Sequence, residues 1–338
     1  MSDIHFLNVL DGDCNIIQHD SGRISVIDVS NAYNDVDTLA EKEVKAYKNT
    51  ARLYTGVPLT KRDFKQKETP DNPIQYLKEN LAIKSIFRFI VTHPDMDHLD
   101  GIEDLYSEFD IANTWDSDNN KVLDKRPSGG RYNPNDWNFY SKIRDGIYDK
   151  TKRLVLLSGD DQKFWNEDQI KILCPTKELV KQANDSSGDY HDLSYVLMYT
   201  PPKKGGGTWK IIFAGDSHDS SWDYILKVYG KEVSNVDVLF APHHGRDSDR
   251  KYDFLNILRP RLTLLGNAPS GHLAYGAYPK IRITNNQAGY VILDITEDRI
   301  LVSVKNVEFA NWFKSHRGWS NPTYYADRKA YGIMQFPA

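Results

Sequence analysis

The stretch "THPDMDHLDG" (92–101) decides how this chain can be interpreted. It overlaps the end of an apolar run, "SIFRFIVTH" (85–93), which has the length and composition of a buried strand. Within ten residues it carries four side chains that can bind a divalent ion: His93, Asp95, Asp97 and His98. Where a strand runs into a loop, alternate side chains can turn toward one point. The spacing therefore predicts a metal site at the end of a central strand, with His93 and Asp95 holding one ion and Asp97 and His98 a second.

Composition restricts the class of protein. The 338 residues are 40% hydrophobic and 27% charged, which is typical of a globular chain with a sizeable core. The formal net charge of −4 gives no general attraction for nucleic acid, so an anionic substrate would have to be attracted locally. No apolar run approaches the ~20 residues of a membrane helix, and no signal peptide is evident. We therefore expect a cytoplasmic protein with no membrane partner, in which Cys14 and Cys174 are reduced core residues.

Strands and helices alternate along the chain as two β-rich halves. Two later strands also end in metal-ligand side chains: "WKIIFAGDS" (209–217) ends in Asp216, and "VDVLFAPHHG" (236–245) ends in a histidine pair. The glycines of "PPKKGGGT" (201–208) lie between two predicted strands, which indicates a hairpin loop instead of a phosphate cradle. A carboxylate at Asp216 would be placed to bridge two ions. Two ions about 3.5–4 Å apart can share a hydroxide and lower its pKa toward neutrality.

These motifs resemble the metallo-β-lactamase-fold hydrolases. The family's metal signature corresponds to "HPDMDH" (93–98), its bridging aspartate to "AGD" (214–216) and its last histidine to "PHHG" (242–245). The sequence is most similar to the soluble hydrolase domain of ComEC-type DNA-uptake proteins, with counterparts also in "VLDGDC" (9–14), "VIDVS" (26–30) and "HDLS" (191–194). The resemblance spans roughly residues 4–305, apart from two segments, 31–70 and 116–150, that are predicted to be insertions.

The resemblance implies an α/β fold and a dinuclear centre. We expect a four-layer αββα sandwich with loop insertions over residues 1–308, followed by an aromatic-rich extension over 309–338. The implied cofactors are two divalent ions, Zn²⁺ or Mn²⁺ ahead of iron. The implied ligands are His93, Asp95, Asp97, His98, His191, Asp216 and His243.

The sequence departs from the family pattern at the first ion. Asp95 stands where many members have histidine. The residue near the missing third ligand is His191 or Asp192, which is either that ligand, a group that supports the ligands from behind, or a loop residue. Asp13, Asp28 and Ser217 are candidates to support the ligands from behind, and turn or cap chemistry is the alternative for each. Next to ligand His243, His244 is expected to point the other way along an extended backbone.

The implied activity is hydrolysis by a metal-bridging hydroxide, with Asp97 and His244 in catalytic roles. The expected substrate is an anionic small molecule or single-stranded nucleic acid, cleaved at a phosphodiester. Three alternatives stay open from the sequence: a lactonase or ester hydrolase, a di-iron redox enzyme, and a catalytically weak binding module stabilised by metal.

Overall fold

The computed structural model describes residues 1–9, 11–34, 64–123, 132–161, 163–185, 189–268, 272–317 and 321–338. Its strands, labelled in chain order, form two sheets. The larger has the order β15-β16-β14-β13-β1-β2-β3-β4-β5-β6 and the smaller the order β12-β11-β10-β9-β8-β7. Most of the insertion predicted at 31–70 lies outside the described residues.

The strands of the larger sheet are β1 (Ser2–Phe6), β2 (Asn15–Gln18), β3 (Ile24–Ile27), β4 (Ser85–Ile90), β5 (Asp110–Trp115), β6 (Lys152–Leu154), β13 (Val291–Ile295), β14 (Arg299–Val304), β15 (Thr323–Tyr325) and β16 (Ala330–Pro337). Those of the smaller sheet are β7 (Ile170–Cys174), β8 (Val196–Tyr199), β9 (Ile211–Phe213), β10 (Val238–Phe240), β11 (Leu262–Leu265) and β12 (Arg282–Thr284).

The two sheets repeat one strand plan. In the larger sheet, β1, β2 and β3 form an antiparallel meander, and β4, β5 and β6 then continue the sheet in parallel. In the smaller sheet, β7, β8 and β9 are antiparallel, and β10, β11 and β12 follow in parallel. Parallel neighbours end at the same edge, and an antiparallel neighbour begins there. The ends of β3 and β4 and the start of β2 therefore lie at one edge of the larger sheet. The ends of β9 and β10 and the start of β8 lie at the corresponding edge of the smaller sheet.

Successive side chains of each strand point to opposite faces of the sheet, so one face packs on the other sheet and one on helices. In β9 and β10, Phe213 and Phe240 face the space between the sheets, where their rings stack at a centroid distance of 4.3 Å. Their neighbours Ile212 and Leu239 face the opposite way and pack with the helices that cover the smaller sheet. Each sheet is thus apolar on both faces, one toward the other sheet and one toward helices.

Helices cover both outer faces. Pro73–Gln75, which continues as a π-turn over Tyr76–Asn80, packs on the larger sheet with Ile102–Glu108 and Pro134–Arg144. Lys177–Asp185, Asp219–Tyr229 and Phe254–Leu258 pack on the smaller sheet. The remaining described α-helices are Lys163–Glu167, Asn285–Ala288 and Val307–Arg317. The predicted four-layer αββα sandwich is confirmed.

The described residues of the predicted insertion 116–150 include a regular helix. This helix, Pro134–Arg144, begins at an Asn133 cap whose side chain accepts a hydrogen bond from the backbone N–H of Asn135. Trp137, Tyr140 and Ile143 are buried against the larger sheet. The signal was present in the Asn-Pro start and the three-residue spacing of these apolar side chains. The abundance of Asp, Asn and Gly around it concealed this short pattern.

The last thirty residues join the larger sheet. Phe309 and Phe313 of the helix Val307–Arg317 lie in the core between the sheets. β16 pairs with β14 from Arg299↔Pro337 to Val304↔Tyr331. Across the described ranges, none of the helices combines the length and apolar character needed to cross a membrane.

Candidate metal centre

The predicted metal-ligand residues come together at one edge of the two sheets. The motif His93–His98 follows β4, and Asp216 follows β9 after two small residues. His191 lies in the 3-10 turn Tyr190–Leu193 that leads into β8, and the histidine pair follows β10. The shared strand plan of the two halves thus brings loops that are up to about 150 residues apart in the sequence to one place.

Asp216 lies at the centre of this arrangement. Its Oδ1 is 3.3 Å from Nε2 of His98 and 3.7 Å from Nε2 of His244. Its Oδ2 is 3.7 Å from Nε2 of His93 and 3.6 Å from Nε2 of His243. The carboxylate is buried, with 2% of its side chain exposed. Each oxygen faces a different pair of imidazoles, which is the arrangement that a carboxylate bridging two ions requires.

The other ligands divide into two sets around Asp216. The deep set consists of Asp97, His98 and His244, and Nε2 of His244 lies 3.5 Å from Oδ2 of Asp97. The outer set consists of His93, Asp95 and His191. In it, Oδ2 of Asp95 is 3.8 Å from Nε2 of His93 and 3.7 Å from Nε2 of His191. Of the two candidates for the third ligand, His191 therefore lies beside His93 and Asp95, whereas Asp192 does not belong to this group.

The histidine pair is oriented differently from what the sequence predicts. His243 and His244 have φ values of 51° and 56°, so the backbone is left-handed here and not extended. Side chains alternate only along an extended chain, and this turn directs both rings toward Asp216. His244 joins Asp97 in the deep set, whereas His243 groups with His191 and Asp216. The expectation that His244 points away from the centre is thus corrected.

Carboxylates support the deep set from behind. Oδ2 of Asp28 is 2.8 Å from Nδ1 of His98, and Asp28 also accepts hydrogen bonds from the N–H and hydroxyl of Thr92 at 2.7 and 2.6 Å. Oδ1 of Asp13 is 3.1 Å from Nδ1 of His244. Such partners fix the orientation of a ligating imidazole and make it more basic.

The outer set has weaker support. The hydroxyl of Thr92 is 3.2 Å from Nδ1 of His93, and the carboxylate behind His191 belongs to half-exposed Asp189, at 2.8 Å. His243, which faces the same side of Asp216, has the hydroxyl of Ser248 at 2.7 Å from its Nδ1. A hydroxyl or a solvated carboxylate orients an imidazole with less electrostatic stabilisation than a buried carboxylate gives.

Burial and neighbouring charges separate the protonation states of the imidazoles. Burial, reinforced by His98, lowers the pKa of His93 to about 3. Burial likewise lowers the pKa of His243 to about 4. Burial would also lower the pKa of His98, but the carboxylates of Asp216 and Asp28 raise it well above its usual value. His93 and His243 are therefore neutral at pH 7 and present free lone pairs, whereas His98 would release its proton when an ion binds.

Unsatisfied buried atoms test whether an ion fits this centre. Nε2 of His93, His98 and His244 and Oδ1 of Asp216 are buried and have no hydrogen-bond partner. The buried imidazole of His5 is different, since its two nitrogens lie 3.0 Å from the Tyr76 hydroxyl and 3.1 Å from Gln18 Oε1. Unpaired buried polar atoms are costly, and here they converge on one point. The residues thus fit a divalent cation, and the mixture of imidazole and carboxylate suits Zn²⁺, Mn²⁺ or iron better than Ca²⁺.

Two glycines allow the loops to approach so closely. A Cβ on Gly12, at φ 73°, would lie 1.7 Å from the carbonyl oxygen of Asp97. A Cβ on Gly215, at φ 50°, would lie 2.5 Å from Oγ of Ser194, the hydroxyl that accepts a hydrogen bond from the backbone N–H of Asp216. Both positions require glycine for conformation and for space.

Sequence reasoning missed Lys121. Its ammonium contacts Oδ1 of Asp95 and lies 5.4 Å from the centroid of the Tyr190 ring. Nothing in the local sequence distinguishes this lysine from a solvated one. Only the path of the loop after β5 brings it to the outer set.

No family model matches the chain, and no curated protein does. Among solved structures, the chain is similar to Igni18, a metallo hydrolase from the archaeon Ignicoccus hospitalis, at 11% identity and a TM-score of 0.42, over 87% of this chain and 100% of that one. It is also similar to a diphosphatase of the PhnP family, at 10% identity and a TM-score of 0.40, over 86% and 97%. A third is CmlA, a diiron β-hydroxylase from Streptomyces venezuelae, at 12% identity and a TM-score of 0.39, over 78% and 44%. At this level of identity the activity has to be argued from side chains.

Proposed function

We propose that this protein is a metal-dependent hydrolase of the metallo-β-lactamase fold that cleaves phosphodiesters. One observation carries the proposal: four buried ligand atoms without hydrogen-bond partners, on His93, His98, His244 and Asp216, face one another across two ligand sets that share Asp216. When bound, two divalent ions would lower the pKa of water and polarise a phosphoryl oxygen. The chain's own residues hold the charges and orient the imidazoles that this chemistry needs.

Local charge favours an anionic substrate. The protein as a whole is acidic, with a net charge of −4. Two divalent ions, however, would offset the ligand carboxylates Asp95, Asp97 and Asp216, and the ammonium of Lys121 lies beside them. An open coordination position on the ions would then attract a compact anion to one place, without general binding of long duplexes. We infer a small nucleotide-type or single-stranded substrate.

The test combines metal analysis with two model substrates. The full chain is loaded separately with Zn²⁺, Mn²⁺ and Fe²⁺, its bound ions are counted, and turnover of bis(p-nitrophenyl) phosphate is compared with that of p-nitrophenyl acetate. We expect two ions per chain and faster cleavage of the phosphodiester with Zn²⁺ or Mn²⁺. Preferential ester cleavage would favour the lactonase or esterase alternative, and iron binding without hydrolysis the redox alternative. One ion or none, without turnover, would leave a binding module.

A second panel narrows the substrate once turnover is found. Single-stranded DNA, single-stranded RNA and cyclic nucleotides differ in length and sugar but share the phosphodiester. We expect cleavage of the short or single-stranded members and little of duplex DNA. Equal rates on duplex DNA would contradict the charge argument and not the metal centre.

A further inference from the structure

The loop after β5 borders the outer set, and a buried polar network holds this loop in place. The carboxylate of Asp116 accepts hydrogen bonds from the Tyr140 hydroxyl at 2.7 Å and from Arg153 at 3.1 and 3.0 Å. The side-chain amide of Asn119 donates to the Tyr140 hydroxyl at 2.6 Å. Asp116 and Tyr140 are fully buried. The base of the loop is therefore rigid, since buried networks of this kind are costly to disrupt.

The same loop is tied to the segment that carries His191. Tyr190, which precedes this ligand, donates its hydroxyl to Oδ1 of Asn120 at 2.9 Å. The backbone N–H of Asn120 donates to Oδ1 of Asn184 at 3.0 Å. Arg144 donates to the carbonyl oxygen of Lys121 at 2.7 Å. The backbone at Lys121 is thus fixed by Arg144 and, through the preceding residue Asn120, by Tyr190 and Asn184, although the lysine side chain itself is long and flexible.

The Lys121 ammonium and the outer imidazoles face different oxygens of Asp95. It contacts Oδ1, so that Oδ2 is the oxygen that faces His93 and His191. The lysine side chain is 22% exposed, and that of Asp95 is 30% exposed. Among the ion pairs of the described ranges, this is the one in which a lysine or arginine contacts a carboxylate of either ligand set. In the part of the chain that the structure describes, the ion-pair partners of Asp97 and Asp216 are imidazoles.

We propose that Lys121 weakens the ion of the outer set, so that this ion exchanges while the ion of the deep set stays bound. The inference rests on the proposed metal centre. Lys121 lowers the affinity for the outer ion in two ways. It holds one oxygen of Asp95 away from the ion, and it places a positive charge next to a divalent cation. An outer ion that leaves readily makes the number of bound ions depend on the concentration of free metal.

Metal titration of the full chain tests the role of Lys121. Metal-stripped protein is titrated with Zn²⁺ against a chromophoric chelator, and we expect two binding steps in the wild type. Asp95→Asn identifies the outer step, because it should weaken that step alone. Lys121→Met keeps the length of the side chain and removes its charge, and it should tighten the outer step by roughly tenfold or more. The deep step should change by less than about twofold, since the lysine does not contact that set.

Two further variants separate charge from general surface effects. Lys121→Arg keeps the charge and should keep the weak outer step. Lys204→Met removes a lysine that lies 2.9 Å from Asp298 at an exposed position and should leave both steps unchanged. Circular dichroism melting of each metal-free variant checks that the fold is retained.

The outcomes distinguish this inference from the proposed function. Two Zn²⁺ steps with an unchanged or weakened outer step in Lys121→Met would overturn the role of Lys121 and leave the metal centre intact. A wild type without any Zn²⁺ step would overturn the centre and the inference together. A tightened outer step in Lys204→Met as well would show that the effect is one of overall charge and would also overturn the role assigned to Lys121.

Discussion

The deep and outer ligand sets share Asp216 but differ in what lies behind them. In the deep set, the imidazoles of His98 and His244 each have a buried aspartate at their far nitrogen. In the outer set, the groups behind the ligands are the Thr92 hydroxyl, a half-exposed aspartate and the Lys121 ammonium. Because these partners set ligand basicity and orientation, the same kinds of ligand should bind ions of different affinity. Substitutions at the centre test that difference or the shared carboxylate, and a histidine outside the centre gives the comparison.

Removing a deep imidazole should have the largest effect. His98→Ala deletes a ligand, and we expect the deep ion to be lost and phosphodiester turnover to fall to the level of metal-free protein. Asp97→Ala should do the same. Metal analysis and turnover of bis(p-nitrophenyl) phosphate measure both effects. His316→Ala, at an exposed position on the helix Val307–Arg317, is the matched control. Wild-type activity in both site variants would rule out the deep set as the metal site.

Neutralising the shared carboxylate should affect both ions. Asp216→Asn keeps the size of the side chain but loses the charge that faces four imidazoles. We expect folded protein with fewer than two ions per chain and turnover lower by ~10²-fold or more, the scale of losing one well-placed electrostatic group. Asp223→Asn, exposed on the helix Asp219–Tyr229, should change neither. If Asp216→Asn kept both ions and lost less than tenfold in rate, Asp216 would only shape its turn.

The supporting groups can be compared directly. Asp28→Asn removes the carboxylate behind His98 and should lower the Zn²⁺ affinity of the deep step by ~10- to 100-fold. Ser248→Ala removes only a hydroxyl behind His243, which faces the same Asp216 oxygen as His93 of the outer set. Its effect should therefore be smaller and fall on the outer step. Competition titration of both variants gives the two affinities. Equal losses would mean that a carboxylate partner gives no advantage here and would remove the distinction between the sets.

Deleting the third outer ligand should weaken one step only. His191→Ala is expected to lower the affinity of the outer ion by roughly tenfold or more and leave the deep ion in place. The measurement is the same titration, with turnover recorded at saturating and at limiting Zn²⁺. Activity should recover at saturating Zn²⁺ more fully than in His98→Ala. Unchanged metal content and kinetics would return His191 to a loop role.

A buried imidazole outside the centre should give the smallest effect. Burial lowers the pKa of His5 from 6.5 to about 4. As the pH falls below 6.5, the unfolded chain takes up this proton before the folded one does. The contribution of His5 to the free energy of unfolding is therefore complete above pH 6.5 and is lost as the pH falls toward 4. In metal-free protein, His5→Gln should reduce the acid-induced loss of stability by on the order of 1–3 kcal/mol.

Urea unfolding of wild type and His5→Gln at several pH values between 7 and 4.5 measures this difference. The absolute stability of the variant does not matter for the test, because only the slope against pH is compared. Parallel curves would show that His5 does not bind its proton at a lower pH in the folded state than in the unfolded chain.

The two β-rich halves of the sequence differ in how much of the site they reveal. Four ligands of the first half lie within the six residues 93–98, so their spacing alone indicates a metal site. In the second half, His191, Asp216 and the histidine pair lie on three separate loops, and each one alone is typical of an ordinary turn. Only the common strand plan joins them, and that plan was available through the family resemblance and not through the spacing.

Two features of the site could not be predicted. The roles of His243 and His244 depend on a left-handed turn that no glycine or asparagine at these positions announces. Lys121 reaches Asp95 because a buried network fixes a loop whose composition is that of a solvated segment. In both cases the decisive contact is made across the fold and has no local counterpart in the sequence.

The ligands belong to both sheets, and this gives a bound ion a mechanical role. The motif after β4 is carried by the larger sheet, whereas His191, Asp216 and the histidine pair are carried by the smaller one. An ion that binds only the folded state would link two layers that otherwise pack together through apolar side chains. Each tenfold rise in free ion above its dissociation constant would then add about 1.4 kcal/mol to the free energy of unfolding. A chelator would lower the free energy of unfolding, and the melting temperature of the protein would depend on the concentration of free metal around it.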